Sequence, residues 1–316
     1  MTYHKPPRLS VVVPVFNTPP YLLGKLWASI LEQAELSRVE VIIIDDGSTN
    51  PGTVDAITKL SQVALFQVFR QANSGVQAAR IAGAEKASGS YIWFVDADDL
   101  LADGAFARIL GVLESSPDIL IFGHERLDRL DAVRSRVSPN SATIKMLDLA
   151  AQSDFVNHLI ASDIFRELWN KVFRRDIATH ARAGKRGYLL GEDQLMVLGA
   201  VALARSAKVT GDVNYRYRAD VPGQATATPR REHLLELGEK CEELAHYDSY
   251  FSITKPLAPR SAVATGMKFF LSSFPPPRAT RNFSTVLRRH RWDARLKLRF
   301  RAARFVLLTW CATWSA

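Results

Sequence analysis

The sequence predicts an α/β fold with a mainly parallel sheet, and three observations support this. Apolar segments alternate with helical segments through residues 9–95. Two of the apolar segments, Leu9–Phe16 and Val39–Ile44, are almost continuously apolar, which is typical of strands that are covered on both faces. Polar or acidic turns follow the strands. Because right-handed crossovers place such turns at one edge of a parallel sheet, we expect the turns to converge there.

The predicted elements follow one another in a regular order. In the first helix, Leu22, Leu26 and Ile30 recur at helical spacing, and Pro19 and Pro20 stand where a helix can begin. In chain order the sequence predicts the strand Leu9–Phe16, the turn Asn17–Pro20, a helix through Leu31, the strand Val39–Ile44, the turn Asp45–Ser48, a helix near Pro51–Leu60, the strand Val63–Phe69, the helix Ser74–Ala87 and the strand Tyr91–Val95.

Three carboxylates, Asp96, Asp98 and Asp99, follow the last of these strands. Asp96 and Asp98 are two residues apart and could share one hard cation, Mn²⁺ or Mg²⁺, which would neutralise the oxygens of a diphosphate. A D-x-D sequence is also compatible with a solvated acidic turn at the end of a strand. These residues alone leave both interpretations open.

Six motifs stand in a fixed order along about residues 8–218. They are S-V-V-V-P-V-F-N at Ser10–Asn17, V-I-I-I-D-D-G-S-T at Val41–Thr49, N-S-G-V-Q-A-A-R at Asn73–Arg80, G-S-Y-I-W-F-V-D-A-D-D at Gly89–Asp99, L-W-N-K-V-F-R-R-D at Leu168–Asp176 and G-E-D-Q-L-M at Gly191–Met196. In order and spacing the set resembles the family 2 glycosyltransferases. The resemblance implies the GT-A fold, a Rossmann-like, mainly parallel sheet with flanking helices.

The resemblance also implies a nucleotide-sugar site. Asp46, or its neighbour Asp45, would accept from the imide N–H of a uracil, although D-D-G-S is also a good helix cap. Arg80 would meet the diphosphate or the donor sugar, unless it lies on a solvated helix face. Asp98 would hold the metal, and Asp96 would contact the ribose or the metal. The implied nucleotide-sugar-binding residues are Pro14, Val15, Asn17, Asp45, Asp46, Asn73, Gly75, Arg80, Asp96 and Ala97.

A second acidic pair, Glu192 and Asp193, precedes an apolar helical run. Alone, the pair is typical of acids in the first turn of a helix, where the helix dipole favours negative charge. The resemblance implies that Asp193 is the catalytic base, which removes a proton from the acceptor hydroxyl so that the configuration of the sugar inverts. Glu192, Trp169, Asn170 and Lys171 are candidates for the acceptor side, although Trp169 could equally belong to the core.

Composition divides the chain into three parts. Residues 1–220 form the predicted GT-A catalytic domain, with a nucleotide-sugar half at about 1–100 and an acceptor half at about 101–220. Residues 221–274 are predicted to form a helical extension. Within the catalytic domain, the polar stretch Val133–Ser141 predicts a surface loop.

The third part, residues 275–316, is a basic amphipathic tail that begins with the linker Pro275–Pro277. It contains ten Lys or Arg residues and one acid, so its net charge of +9 equals that of the whole chain. With its aromatic residues, such a helix suits an anionic membrane surface. Alternatively, the tail could form a helix that packs on the catalytic domain, or its basic and aromatic residues could bind nucleic acid, although we expect no nucleic acid partner.

Localisation is predicted to be cytoplasmic, peripheral at the cytoplasmic face of the membrane. Cys241 and Cys311 are far apart in sequence and suit a reducing compartment, and Met1–Arg8 shows no signal peptide. The apolar run Phe305–Ala316 is shorter than the roughly twenty residues that span a bilayer.

The predicted function is an inverting, metal-dependent glycosyltransferase of the hexosyltransferase type. It would transfer a sugar from a UDP-sugar to a glycan or lipid-linked acceptor in capsule or cell-envelope polysaccharide synthesis. Two alternatives stay open at this point. The same acids could serve a nucleotidyltransferase, or the chain could be an inactive relative that binds a nucleotide sugar or scaffolds an assembly at the membrane.

Overall fold

The computed structural model describes residues 8–162, 164–181, 192–219, 240, 243–254 and 257. Within these residues the strands are β1 (Leu9–Val15), β2 (Val39–Asp45), β3 (Phe66–Arg70), β4 (Tyr91–Phe94), β5 (Leu100–Leu101), β6 (Ile119–Leu127), β7 (Val133–Val137), β8 (Ala142–Lys145), β9 (Lys171–Arg174) and β10 (Ser206–Arg218). The α-helices are α1 (Pro20–Leu31), α2 (Pro51–Leu60), α3 (Val76–Lys86), α4 (Ala105–Leu113), α5 (Leu149–Ala161), α6 (Arg175–His180) and α7 (Glu192–Leu203).

All of these strands belong to one sheet, whose main order is β3-β2-β1-β4-β9-β6-β10-β5. The strands β3, β2, β1 and β4 run parallel, with Leu9 opposite Val39 and Val15 opposite Asp45. Every residue of β1 and β2 is buried. Their side chains alternate between two cores, so that Val12 faces one core and Val13 faces the other. The predicted α/β fold is therefore confirmed, and its continuous apolar strands are covered on both faces.

The second half of the sheet is mixed. The strand β9 runs antiparallel to both β4 and β6, whereas β10 runs parallel to β6. The strands β5, β7 and β8 add antiparallel pairs at the periphery. The 13-residue strand β10 has register shifts against β6 around Val213. Its last residues lie beside the acidic turn that follows β4.

The largest differences from the predicted elements concern one strand boundary and one loop. The third strand begins at Phe66, because residues 61–65 form turns after α2. The predicted surface loop Val133–Ser141 contains β7, which pairs with β6. Side chains of β7 remain largely in solvent on both faces, so the strand carries no apolar alternation that would reveal it.

The described part of the extension is helical over residues 243–250. Leu244, Phe251, Ile253 and Leu257 are buried in the same core as residues of α5 and α7. The rest of the predicted extension, both cysteines and the tail 275–316 lie outside the described residues. In the part of the chain that the structure describes, no helix has the length and apolar character needed to cross a membrane.

Candidate functional site

The turns after β1 and β2 meet at the carboxyl ends of the parallel strands, where α/β sheets bind ligands. Asn17 joins them: its Oδ1 accepts from the backbone N–H groups of Thr49 and Asn50, each at 2.8 Å. Its own N–H donates to Ser48 Oγ at 3.0 Å. Asn17 adopts a left-handed backbone with φ of 50°, a conformation that asparagine tolerates better than most residues. The first two predicted donor-site turns therefore form one unit.

Asp46 holds a third segment, residues 71–75, against these turns. Its Oδ1 accepts from Gln71 Nε2 at 2.8 Å and from the Ser74 N–H at 2.9 Å, and its Oδ2 accepts from the Gly75 N–H at 2.8 Å. An ionised carboxylate offers about four lone-pair directions, so one remains for a ligand N–H. Gly47 allows this approach, because a Cβ there would lie 2.9 Å from the Asn73 backbone nitrogen.

The other predicted nucleotide-site residues surround this unit. Asp45 is buried and accepts from the Ser48 N–H at 2.8 Å and from Arg70 Nη1 at 2.9 Å, so it stabilises the turn. Pro14 and Val15 lie in β1, where the Val15 carbonyl accepts from the Asp46 N–H. Asn73 is exposed, and Gly75 begins α3 with a φ of +89°. Ala97 is buried between the two acids of the D-x-D turn.

Arg80 connects the predicted base to the acidic turn. It is only 3% exposed, which excludes the solvated-face interpretation. Nη1 donates to Asp193 at 2.6 Å and to Glu192 at 3.0 Å, and Nη2 donates to Asp96 at 2.8 Å. Its Nε–H is buried and has no hydrogen-bond partner among the described residues. Elements that are far apart in sequence thus converge on one guanidinium.

The charges of this cluster are unequal, since three carboxylates surround one guanidinium. Burial raises the pKa of Asp193 to about 7, with a further contribution from Glu192 and against the opposing effect of Arg80. Burial likewise raises the pKa of Asp96, which Arg80 again opposes. Although burial disfavours its charge, the attraction of Asp193, Asp96 and Glu192 raises the pKa of Arg80. Asp193 can therefore accept a proton near neutral pH.

Strand β10 also holds the D-x-D turn in place, through hydrogen bonds. The Tyr215 hydroxyl donates to Asp99 Oδ2 at 2.7 Å and accepts from the Asp96 N–H at 3.1 Å. The Arg218 N–H donates to Asp99 Oδ1 at 2.7 Å, and its Nη1 donates to the Asp98 carbonyl at 3.1 Å. Asp99 is fully buried, and burial raises its pKa well above the ordinary value. No motif or residue spacing in the sequence points to Tyr215 or Arg218, so the sequence-based prediction misses both residues.

The turn fits a divalent cation that is shared with a ligand. Within the described residues, no group of three or more His, Cys, Asp or Glu side chains is placed to enclose a metal. Mg²⁺ is commonly held by one or two carboxylates together with substrate phosphates, so a full protein cage is not required. Asp96 and Asp98 are the two carboxylates of the D-x-D turn that could take this role. Arg80 contacts Oδ1 of Asp96, which leaves Oδ2 for a cation.

The acceptor-side candidates Trp169, Asn170 and Lys171 are placed inside the protein. Trp169 is 6% exposed and stacks on Tyr215 at 4.6 Å and on Tyr217 at 5.5 Å between ring centroids. Asn170 and Lys171 are fully buried. Trp169 belongs to a buried apolar core, as the core alternative expects, and the acceptor-side role of these three residues stays a prediction. Tyr217 is the partly exposed member of the stack, and sequence reasoning misses it.

Comparison with known proteins gives the family. The family model described as Glycosyl transferase family 2 matches residues 10–173, more than half of the chain. The chain belongs to this family. This family 2 glycosyltransferase is 27% identical over 252 residues to the uncharacterized glycosyltransferase EpsJ of Bacillus subtilis (strain 168), covering 77% of this chain and 71% of EpsJ.

Two further comparisons bear on the fold and on relatives. An N-acetylglucosaminyltransferase of Bradyrhizobium elkanii is 31% identical over 115 residues, covering 36% of this chain and 63% of that protein. The crystal structure of S. aureus TarS 1-349 in complex with UDP-GlcNAc superposes with a TM-score of 0.67 at 18% identity, covering 89% of this chain and 79% of the TarS 1-349 chain. The family 2 glycosyltransferase described here therefore has a GT-A-type fold.

Proposed function

We propose that this family 2 glycosyltransferase transfers a sugar from a UDP-sugar to a hydroxyl of a glycan or lipid-linked acceptor, with inversion at the anomeric carbon. The observation that carries the proposal is the contact of Arg80 with both Asp193 and Asp96. It brings a carboxylate suited to accept a proton next to acids suited to hold a metal ion, and that ion would bind the diphosphate of the donor. A nucleotidyltransferase would leave the Glu192–Asp193 pair without a role.

The nucleoside would lie at the joined turns after β1 and β2. The remaining lone pair of Asp46 suits the imide N–H of uracil, and Asp46 is fixed by its contacts to residues 71–75. The relatives support this choice, because TarS was solved with UDP-GlcNAc and the Bradyrhizobium elkanii relative is named an N-acetylglucosaminyltransferase. UDP-GlcNAc is therefore the first donor to test.

Asp98 and Asp96 would hold Mn²⁺ or Mg²⁺. When bound, the ion supplies positive charge that neutralises the diphosphate of the donor and of the departing nucleoside diphosphate. Arg80 adds a second positive charge, which lies next to Asp96. Tyr215 and Arg218 would maintain the acids in place through their contacts to the turn.

Asp193 would act as the general base. Its side chain is 21% exposed, so it can reach an acceptor. It takes the proton of the acceptor hydroxyl while that oxygen forms a bond to the anomeric carbon. The bond from the anomeric carbon to the diphosphate oxygen breaks on the opposite face, and its electron pair leaves with the nucleoside diphosphate. One displacement of this kind inverts the configuration.

The decisive experiment is calorimetric titration of UDP and UDP-GlcNAc with and without Mn²⁺. It compares the wild type with Asp98→Ala and with Asp55→Ala, a control on the exposed face of α2. We expect Mn²⁺-dependent binding to the wild type and to the control, and its loss in Asp98→Ala. If folded wild type binds neither UDP nor UDP-GlcNAc, the UDP-sugar transferase proposal fails and a scaffold is the better account.

We further propose that the enzyme works peripherally at an anionic membrane surface in polysaccharide assembly. The support is the tail 275–316, which carries the entire net charge of +9. Co-sedimentation with phosphatidylglycerol vesicles should be strong for the full chain, weak at high salt and lost on deletion of the tail. Unchanged co-sedimentation of the truncated chain would refute the anchor.

A further inference from the structure

A buried arginine at the end of β10 pairs with an acid in the turn between β6 and β7. Arg218 is only 3% exposed. Its Nε donates to Asp131 Oδ1 at 2.6 Å, and its Nη2 donates to Asp131 Oδ2 at 3.2 Å. Both oxygens of one carboxylate therefore face the guanidinium. A two-point contact of this kind fixes the plane of the guanidinium as well as its position.

The same guanidinium reaches the D-x-D turn. Nη1 of Arg218 donates to the Asp98 carbonyl at 3.1 Å, and the backbone N–H of Arg218 donates to Asp99 Oδ1 at 2.7 Å. Because a guanidinium is planar and rigid, the carboxylate that fixes Nε and Nη2 also fixes the direction of Nη1. Asp131 is therefore linked to the backbone of Asp98, the proposed metal ligand, through one rigid group.

The turn at residues 128–132 has its own internal support. Asp128 Oδ1 accepts from the backbone N–H groups of Leu130 at 2.8 Å and of Ala132 at 3.0 Å. Asp131 adopts a left-handed backbone with φ of 61°, which aspartate and asparagine tolerate better than most residues. The turn thus holds the Asp131 carboxylate in a defined conformation.

The Asp131 carboxylate contacts one exposed and one buried cation. Lys25 of α1, whose side chain is 51% exposed, donates to Oδ2, and an exposed pair of this kind contributes little to stability. The charge of buried Arg218 is screened little by water, so it would repel a metal ion at the neighbouring acids. Asp131 neutralises that charge. It therefore both orients the group that holds Asp98 and reduces the repulsion of a cation.

We propose that Asp131 is a positioning residue for the metal site, whose carboxylate orients and neutralises Arg218 so that the Asp98 backbone keeps the geometry that binds Mn²⁺ or Mg²⁺. The inference rests on the proposed function of the D-x-D turn and deepens it. Asp131 acts through Arg218 rather than as a metal ligand. It assigns a role in metal binding to the turn between β6 and β7, which the chemical steps do not use.

Calorimetric titration of UDP at a series of Mn²⁺ concentrations tests this role. It gives the Mn²⁺ midpoint, which is the Mn²⁺ concentration at which UDP binding is half-maximal. In Asp131→Asn, which suits the left-handed backbone, we expect the midpoint to rise about tenfold, as is common when a residue that orients a metal ligand is lost. Lys25→Met is the matched control, because it removes the exposed partner of the same carboxylate. Its midpoint should stay within about twofold of the wild type.

Hydrogen exchange tests the turn without metal or donor. The amides of Asp96 and Asp99 are hydrogen-bonded, to the Tyr215 hydroxyl and to the Asp96 carbonyl respectively. In Asp131→Asn we expect both amides to exchange about tenfold faster, while β1 and β2 keep wild-type protection. Unchanged exchange at the two amides, or an equal increase throughout the protein, would overturn the positioning role.

A second variant keeps the test available if Asp131→Asn does not fold. Asp131→Glu retains the charge that neutralises Arg218 and moves the carboxylate by one methylene group. Because the proposed role depends on the direction of the guanidinium, its Mn²⁺ midpoint should rise by more than that of Lys25→Met. A midpoint equal to that of the wild type would contradict the proposal.

The outcomes separate the two levels of the proposal. A folded wild type without Mn²⁺-dependent binding of UDP overturns the proposed function and, with it, the role of Asp131 at the metal. Mn²⁺-dependent binding to the wild type, with an unchanged midpoint in folded Asp131→Asn, overturns the positioning role alone. A midpoint in Lys25→Met that rises as far as that in Asp131→Asn also overturns it, because the effect would then not pass through Arg218.

Discussion

Arg80 and Asp193 are in direct contact, with Nη1 of Arg80 donating to Oδ1 of Asp193 over 2.6 Å, although 113 residues separate them in sequence. The contact couples the helix α3, which follows the donor turns, to the first turn of α7. Glu192 shares the same Nη1 at 3.0 Å. Burial raises the pKa of Asp193 most, and its two neighbours then act in opposite directions, since Arg80 favours its charge and Glu192 opposes it.

The pH dependence of the reaction should report this balance. Asp193 must be ionised to accept a proton, so kcat/KM for the acceptor should decline as pH falls through the pKa of about 7. Glu192 raises the pKa of Asp193, so Glu192→Gln should move the acidic limb of the kcat/KM profile to lower pH. Arg80 lowers the pKa of Asp193, so Arg80→Met should move the same limb to higher pH. Steady-state kinetics between pH 5 and pH 9 would measure both shifts, and shifts in the same direction would contradict the assignment.

Removing the base should affect turnover and spare donor binding. For Asp193→Asn we expect kcat to fall about 10³-fold, because positioned general bases contribute on the order of 10²–10⁴. Mn²⁺-dependent UDP affinity should stay close to the wild type, since Asp98 and Asp46 are unchanged. Single-turnover kinetics and calorimetry measure the two quantities separately. Asp55→Asn, on the exposed face of α2, is the control, and a wild-type rate in Asp193→Asn would exclude this residue as the base.

The hydroxyl of Tyr215 should matter for stability and for donor affinity together. Tyr215→Phe leaves the Asp96 N–H and Asp99 Oδ2 without this partner, at a cost of about 1–3 kcal/mol for an unsatisfied buried group. Because these contacts hold the turn that we propose binds the metal, the affinity for UDP in Mn²⁺ should also decrease. Denaturant unfolding and calorimetry measure the two effects.

Tyr250→Phe provides the matched control, since Tyr250 is 42% exposed. It removes the same hydroxyl group from a side chain outside the site. A Tyr215→Phe variant that is destabilised but binds UDP as well as the wild type would show that β10 supports the fold without organising the turn.

The sequence predicts the parallel part of the sheet and the meeting of its turns well, for a physical reason. Continuous apolar strands such as β1 and β2 must be covered on both faces, and parallel strands bring their following turns to one edge. The contacts of Asn17 and Asp46 with the neighbouring turns agree with this local information. The order of the motifs then gives the family, which the match over residues 10–173 confirms.

The contacts between segments that are distant in sequence could not be predicted in the same way. Tyr215 meets Asp99 across 116 residues, and Arg80 meets Asp193 across 113, so no periodicity links the partners. Lys171 is polar in sequence yet fully buried, because its three donors find carbonyl and amide oxygens only in the folded loop. Side-chain contacts between elements that are distant in sequence determine where these residues lie in the fold. The composition of the chain gives no information about such contacts.

Gly47 should be the most sensitive glycine of the donor site. Its φ is +76°, and a Cβ there would lie 2.9 Å from the Asn73 nitrogen and 3.3 Å from the Gln71 carbonyl oxygen. Gly47→Ala therefore combines backbone strain of about 1–2 kcal/mol with a displacement of the segment that Asp46 holds. We expect lower stability and a UDP affinity reduced by about tenfold, which corresponds to about 1.4 kcal/mol.

Gly24→Ala is the matched substitution for Gly47→Ala. Gly24 lies in α1, and a Cβ there meets nothing within 4 Å. Alanine in a helix interior is favoured over glycine by roughly 0.5–1 kcal/mol, so this variant should be slightly more stable and bind UDP as the wild type does. Thermal unfolding and UDP titration on both variants would compare the same added methyl group in two settings. Equal UDP affinities in the two variants would mean that residues 71–75 do not form the donor pocket.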